Sequence, residues 1–250
     1  MAPITILTLA IGNDYLKPLE KAFESKRLYA KKHGYTYVQA GEEWWDRSRP
    51  IAWSKVPFII DQLSKLPEGA LVWQSDADVL ITNLDLRLEE HILPLLVEGK
   101  DMLLIYDACE HLNSGNILMR NTEWCRDFWR RVDERDDCTY HMWWENMAMI
   151  KLIDENQSDK NKIQTTDQHK RFNAYITGLP GQPLWQPGDF LVHFAGVYKC
   201  EKMQMLIERI QAGEIPRLDR RIRGDDGGSV LTWLDPAVCG ARPNQSEEVT

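Results

Sequence analysis

Apolar residues along this chain switch between strand spacing and helical spacing, and the switches mark its elements. Residues 4–12, ITILTLAIG, form a stretch rich in Ile and Thr that stops at Gly12 and reads as a buried first strand. Between Pro18 and His33, Leu19, Ala22, Phe23, Tyr29 and Ala30 recur at helical spacing, and Gly34 ends the segment like a C-terminal cap. Tyr35–Ala40 returns to strand character, so the chain opens with the strand, helix, strand order of an α/β fold. A helix is predicted from about Ser54 to Leu66, with Ser54 as its cap, Pro57 tolerated in the first turn, and Pro67 and Gly69 closing it. Ala70–Gln74 is the next strand. It delivers two carboxylates, Asp76 and Asp78, at its carboxyl end, the edge where open α/β sheets bind ligands.

Further on, the pattern predicts a helix over Leu88–Val97, strands over Met102–Tyr106 and Gly115–Met119, and helices over Thr122–Glu134 and Trp144–Glu155. Gln157–Lys170 is polar and reads as a mobile loop. Gly178–Gly188, with three prolines and three glycines, reads as an irregular connection to a short strand, Phe190–His193. Cys200–Ala212 is a last amphipathic helix. No repeat is visible, and the organisation expected is one domain over residues 1–223 followed by a poorly packed tail over 224–250.

Composition narrows the class. A hydrophobic share of 43% and a charged share of 27% are those of an ordinary globular chain, which confines disorder to short stretches. A net charge of -8 argues against nucleic acid as a partner, because phosphate backbones are held by clustered Lys and Arg. A single nucleotide diphosphate can still bind through a cation and local lysines. Five cysteines, at 109, 125, 138, 200 and 239, are widely spaced and contain no CxxC, so free thiols are expected rather than a zinc site or a disulfide framework. The apolar run at residues 4–11 is too short to span a bilayer and lacks the flanks of a signal peptide. The chain therefore reads as soluble, with the cytoplasm favoured over the secretory pathway and the oligomeric state open.

The stretch LVWQSDADVLITN, residues 71–83, carries the chemistry. Strand periodicity would send Asp76 and Asp78 to the same side, where both could meet one hard divalent cation bridging two phosphates. Taken alone the triplet is weak, because Asp at strand ends also makes turns and caps. A phosphohydrolase of the haloacid dehalogenase type also uses such a triplet. It needs the motif after the first strand and usually Thr or Val two residues past the second Asp, where this chain has Leu80.

Five collinear segments, KRLYAKKHGY (26–35), WSK (53–55), QSDADVLITN (74–83), LNSGNILMRN (112–121) and GDFLVHFAG (188–196), resemble the retaining family 34 glycosyltransferases. That family includes fungal galactosyl- and mannosyltransferases and plant xyloglucan xylosyltransferases. The resemblance covers roughly the first 210 residues. It implies a GT-A fold, a Rossmann-like nucleotide-sugar-binding architecture with a mostly parallel central sheet between helices. It further implies transfer of a hexose, deoxyhexose or pentose from a nucleotide-sugar, a UDP-sugar in the first instance, to a glycan acceptor with retention. Eukaryotic members usually carry an N-terminal anchor and stem, whereas the first strand here begins at Ile4, so a compact relative is expected.

By the same resemblance Asp76, Asp78 and His193 are metal ligands, with Asp78 the more direct carboxylate and Asp76 reaching the ribose or a water on the ion. Two carboxylates, an imidazole and phosphate oxygens suit Mn²⁺ better than Ca²⁺ and admit Mg²⁺. Lys55 and Lys199 are candidates for phosphate contact, although Lys199 falls one residue later than the family spacing. Thr8, Leu9, Ala10 and Tyr15 stand where the family holds uracil and ribose, and Ala77 and Gly196 accompany the two metal-binding segments. Asn113 and Gly115 of LNSG are assigned to the donor sugar, the alternative for this segment being a turn between two strands. Glu145 and Asn146 fall where the family carries an acidic residue and Gln facing the anomeric centre. Asn146 is one methylene shorter than that Gln, which keeps a catalytically inactive sugar- or nucleotide-binding relative as the alternative. Trp143, Trp144 and Trp185 are stacking candidates whose plainer reading is core packing.

Overall fold

The computed structural model describes residues 3–107, 111–178, 181–197 and 199–217. The tail read over 224–250, together with Cys109 and Cys239, lies outside the described residues. Eight strands are present among those described: β1 Ile4–Leu9, β2 Thr36–Ala40, β3 Leu71–Ser75, β4 Val79–Ile81, β5 Met102–Tyr106, β6 Leu112–Arg120, β7 Ile163–Thr166 and β8 Leu191–His193. Six form one sheet in the order β2-β1-β3-β6-β5-β7, and β4 and β8 make a separate antiparallel ribbon. Within the sheet β1 pairs in parallel with β2 and β3, and β5 with β7, while β6 runs against both β3 and β5. Five strands thus share one direction and only β6 opposes them.

The central strands are apolar on both faces, which is why they read as unbroken runs rather than as alternating ones. On β3, Val72 faces one core cluster and Leu71 and Trp73 the other; on β6, Ile117 and Met119 face the first and Leu118 the second. Helices Lys55–Lys65, Glu123–Asp133 and Trp144–Glu155 cover the first face. Helix Glu20–His33 contributes Tyr29 and Ala30 to the second cluster. A third cluster joins Ala22 and Phe23 of that helix to helix Cys200–Gln211 through Met203, Leu206 and Ile207.

Four segments differ from the sequence reading, each for a physical reason. Leu88–Val97 holds only one α-helical turn, Leu88–His91, followed by a 3-10 turn at Leu93–Leu95, because Pro94 supplies no N–H to continue a helix. Gln157–Lys170 is not a loop: it folds as helix Gln157–Lys162, strand β7 and helix His169–Phe172. As an edge strand β7 buries only Ile163, so its polarity hid it. LNSG lies inside β6 rather than in a turn before it, since Asn113 and Leu112 pair with Ile105 and Tyr106. Ser54 makes no side-chain capping bond, because the 3-10 turn Ile51–Ser54 runs directly into the helix. Thr122 does cap its helix, its Oγ1 accepting from the Cys125 N–H at 3.2 Å. The described cysteines, Cys125, Cys138 and Cys200, are free thiols. No described helix is long and apolar enough to cross a membrane.

Asn121, fully buried, ties the turn before β3 to the sheet. Its Nδ2 lies 2.8–3.1 Å from the carbonyl oxygens of Leu63, Leu66 and Pro67, and its Oδ1 accepts from Arg126. Removing the amide takes a bond from the Leu63 and Leu66 carbonyls, while the Pro67 carbonyl keeps the Ala70 N–H and Arg126 keeps Glu68. Asn121→Ala is expected to lower the unfolding free energy by about 2–3 kcal/mol in urea titrations, with the binding properties of the distant cleft unchanged.

Candidate active site

The chain reverses sharply after β3. Asp76 to Asp78 form a turn, with the Val79 N–H bonded to the Asp76 carbonyl at 3.2 Å, before β4 begins. The two carboxylates therefore converge through a turn and not through the strand periodicity expected from sequence. β8 completes the group. Its ladder with β4 sets His193 opposite Val79, and the Phe194 N–H binds the Asp78 carbonyl at 3.0 Å. His193 Nε2 consequently sits 3.3 Å from Asp78 Oδ1. One ligand atom each from Asp76, Asp78 and His193 can be chosen with all three within 4.8 Å of one another, a spacing and donor set that fit one hard-to-borderline divalent ion.

A cleft of about 180 Å³ lies over these residues, lined also by Lys55, Asn113, Ser114, Gly115, Trp143, Trp144, Glu145, Asn146 and Gly196. Gly115 is required by closeness: a Cβ there would overlap the His193 ring at Cε1 and come within 3.0 Å of Nδ1. Glu145 opens helix Trp144–Glu155, and the residue before it, Trp144, holds φ at 43°, a left-handed value that bulky side chains adopt at a cost of about 1–3 kcal/mol. The Trp144 N–H bonds to the His141 carbonyl at 2.9 Å, and this tight entry fixes where Glu145 emerges.

Lys55 neutralises two of the carboxylates at once. Its ammonium lies 3.0 and 3.2 Å from the Asp76 oxygens, 2.9 Å from Glu145 Oε1 and 3.3 Å from Ser114 Oγ, which in turn donates to Glu145 Oε1 at 3.0 Å. Burial disfavours the charge, but Asp76 and then Glu145 outweigh it and push the Lys55 pKa up. Lys26, from the helix beneath, donates to the Asp76 backbone carbonyl. It is wholly buried, and desolvation, offset in part by Asp78 and Asp76, lowers its pKa to about 7. For Asp78 burial pushes upward, while His193 and then Lys26 pull further down, and the net direction is downward. Two polar atoms of this region, Glu145 Oε2 and Asn146 Oδ1, are buried with no hydrogen-bond partner.

Among the residues singled out from sequence, the cleft gathers Lys55, Asp76, Asp78, Asn113, Gly115, Glu145, Asn146, His193 and Gly196. Thr8, Leu9, Ala10, Tyr15, Ala77 and Lys199 lie outside its lining. Thr8 is fully buried and its hydroxyl donates to the Ser75 carbonyl, while Ala10 and Ala77 sit in the third apolar cluster. Tyr15 packs against that cluster, and burial, then Asp78 and Asp76, raises its pKa. Lys199 is exposed at the start of helix Cys200–Gln211. Trp185 is core, its indole donating to Thr82. Sequence reasoning gave no role of its own to Ser114, although it lies in LNSG, nor to Lys26, which was quoted only within KRLYAKKHGY.

The comparisons with known proteins agree with this geometry. Residues 3–99 match the model of the galactosyl transferase GMA12/MNN10 family. A Schizosaccharomyces pombe protein named as an uncharacterized alpha-1,2-galactosyltransferase is 26% identical over 223 residues, covering 74% of this chain and 57% of its own length. The chain is thus similar to this family of glycosyltransferases over its first 99 residues and, at lower identity, over about three quarters of its length. Xyloglucan 6-xylosyltransferase 4 of Arabidopsis thaliana is 32% identical to it over 123 residues, 47% of this chain and 23% of that protein. The chain spans 57%, 65% and 58% of three fission-yeast relatives. A crystal structure of a glycosyltransferase involved in the glycosylation of the major capsid of PBCV-1 superposes with a TM-score of 0.67 at 16% identity, over 82% of this chain and 98% of that one. The fold of this chain is accordingly GT-A.

Two outcomes are expected. In Gly115→Ala the imidazole must leave its place, so divalent-ion affinity should fall at least tenfold by calorimetric titration while the far-ultraviolet spectrum is kept. For Lys26 the unfolded chain holds its proton up to about pH 10.5 and the folded chain releases it near 7. Folding therefore releases a proton within that window, and raising pH favours the folded state. The stability of the wild type relative to Lys26→Met should rise between about pH 7 and 9 in denaturant titrations without metal.

Proposed function

We propose that this chain transfers a hexose, deoxyhexose or pentose from a nucleotide-diphosphate sugar, a UDP-sugar first, to a glycan acceptor, using Mn²⁺ or Mg²⁺ and retaining the anomeric configuration. The observation that carries this reading is the Asp76, Asp78 and His193 group at one end of the cleft. Asp76, Asp78 and His193 would hold a divalent ion, and such an ion would neutralise the charge that grows on the departing diphosphate. The match to the galactosyl transferase family model supports the sugar-transfer chemistry, and the fission-yeast and Arabidopsis names support galactosyl or xylosyl donors.

The chain's own groups divide the remaining work. Asn113 and Gly115 border the space for the donor sugar, where β6 exposes an uncluttered backbone. Glu145 is assigned to the anomeric carbon, as nucleophile of a double displacement or as the charge that stabilises an oxocarbenium-like transition state. Its Oε2 is uncommitted, whereas Oε1 is held by Lys55 and Ser114, so one oxygen is anchored and the other is free to act. Asn146 is anchored through Nδ2 on the Leu112 carbonyl and offers its Oδ1 to a sugar hydroxyl. Leu9, Ala10 and Tyr15 are assigned to the nucleoside, which must extend past a cleft of about 180 Å³. Lys55 is engaged by carboxylates, and its assigned role is to hold Asp76 and Glu145 rather than to reach phosphate.

A panel of nucleotide-sugars tested for hydrolysis and transfer, with and without EDTA, checks the reading. Turnover should require a divalent ion, and Asp78→Asn should reduce it more than about 100-fold, beyond the usual effect of losing a group that only supports a metal ligand. Turnover indifferent to EDTA would refute the metal role. UDP binding without turnover of any donor would select the inactive, binding-only relative.

A further inference from the structure

We infer that a relay of buried donors and acceptors, Trp73, Asn116 and Asn173, keeps a proton on Nδ1 of His193 and so reserves Nε2 for the divalent ion. The inference rests on the metal reading above, and it assigns positioning roles to residues outside the cleft lining. An imidazole can bind an ion through a nitrogen only if that nitrogen carries no proton, and the partner of the other nitrogen decides which one that is.

The assignment follows from donor-only groups at both ends of the relay. The indole N–H of Trp73 can only donate, so the Asn116 atom 3.0 Å from it is the amide oxygen. Its NH₂ then points at Asn173, 3.0 Å away, and the Asn173 atom that meets it is likewise an oxygen. That same oxygen lies 2.8 Å from His193 Nδ1. An amide oxygen cannot donate, so Nδ1 must. The opposite end gives the same answer independently. The Gly115 backbone N–H donates to Asn113 Oδ1 at 2.9 Å, and that oxygen can accept only from the NH₂ of Asn173, 3.1 Å away. Turning the Asn173 amide over would therefore set oxygen against oxygen at Asn113 and NH₂ against NH₂ at Asn116.

Burial keeps water from relieving such a mismatch. Asn116 and Asn173 are wholly inaccessible, and His193 is nearly so. With Nδ1 protonated, the Nε2 lone pair and the Asp78 carboxylate face each other across 3.3 Å as two acceptors. Such a pair calls for a positive species between them, which an ion shared with Asp76 would supply.

The test reads the proton directly. In protein labelled with ¹⁵N in its histidine rings, the His193 Nδ1 signal should be that of a protonated, pyrrole-type nitrogen in the metal-free state. On titration with Mg²⁺ in the presence of UDP, Nε2 should be the nitrogen that shifts. An unprotonated Nδ1 overturns the relay whatever the ion does. A protonated Nδ1 with no response to Mg²⁺ or Mn²⁺ leaves the relay standing and refutes the metal reading, so the two failures are distinguishable. Asn173→Leu, which removes the acceptor at similar volume, should weaken Mn²⁺ binding by about 10–100-fold in calorimetry with UDP present. Unchanged affinity in folded Asn173→Leu would overturn the proposal, and if that variant does not fold, the wild-type ¹⁵N signature decides.

Discussion

Three carboxylates, those of Asp76, Asp78 and Glu145, border one small cleft, and the local structure follows from the need to balance them. Two like charges about 4 Å apart repel by about 4 kcal/mol at an effective dielectric constant of about 20, a large part of the 5–15 kcal/mol that holds a typical domain folded. Lys55 bridges Asp76 and Glu145, His193 stands against Asp78, and Lys26 supports the turn from below. Each of these groups is delivered by a different element: the helix after the 3-10 turn, the strand of a two-stranded ribbon, and the helix under the sheet. The cleft is thus held together by charge as much as by shape.

This balance explains why the sheet carries one reversed strand beside β3. Running against its neighbours, β6 brings its first residues, Leu112 to Gly115, to the same edge as the end of β3, with Ser75 opposite Asn116. A parallel strand there would present its last residues instead. The reversal sets Ser114 beside Lys55 and Glu145, and it sets a residue without a side chain directly under the imidazole.

The sequence revealed the central sheet because strands buried on both faces leave unbroken apolar runs, as at ITILTL and MLLIY. It did not reveal β7, because an edge strand that buries one residue has nothing periodic to show. The cleft was legible in proportion to how local each signal was. Asp76, Asp78 and His193 each lie in a recognisable segment, and the structure brings them together. What strand periodicity misjudged was the manner: the carboxylates sit on a turn, whose shape depends on backbone hydrogen bonds to β8 and on Lys26. Asn173 was invisible, since one amide inside FNAYI announces neither a helix nor a strand, and its meaning comes from partners 57 and 20 residues away. Lys26 was quoted within a motif, but nothing in its neighbours along the chain says that the helix turns it inward.

The pairing of β4 with β8 joins residues 79–81 to residues 191–193, so more than 100 positions must be in place before the last histidine arrives. A contact of that sequence separation forms late, after the entropy of closing a long loop has been overcome. Whatever binds across the ribbon then acts as a clasp between the two halves of the polypeptide. By mass action its concentration would raise the melting point of the whole molecule, so that occupancy becomes a record of completed assembly.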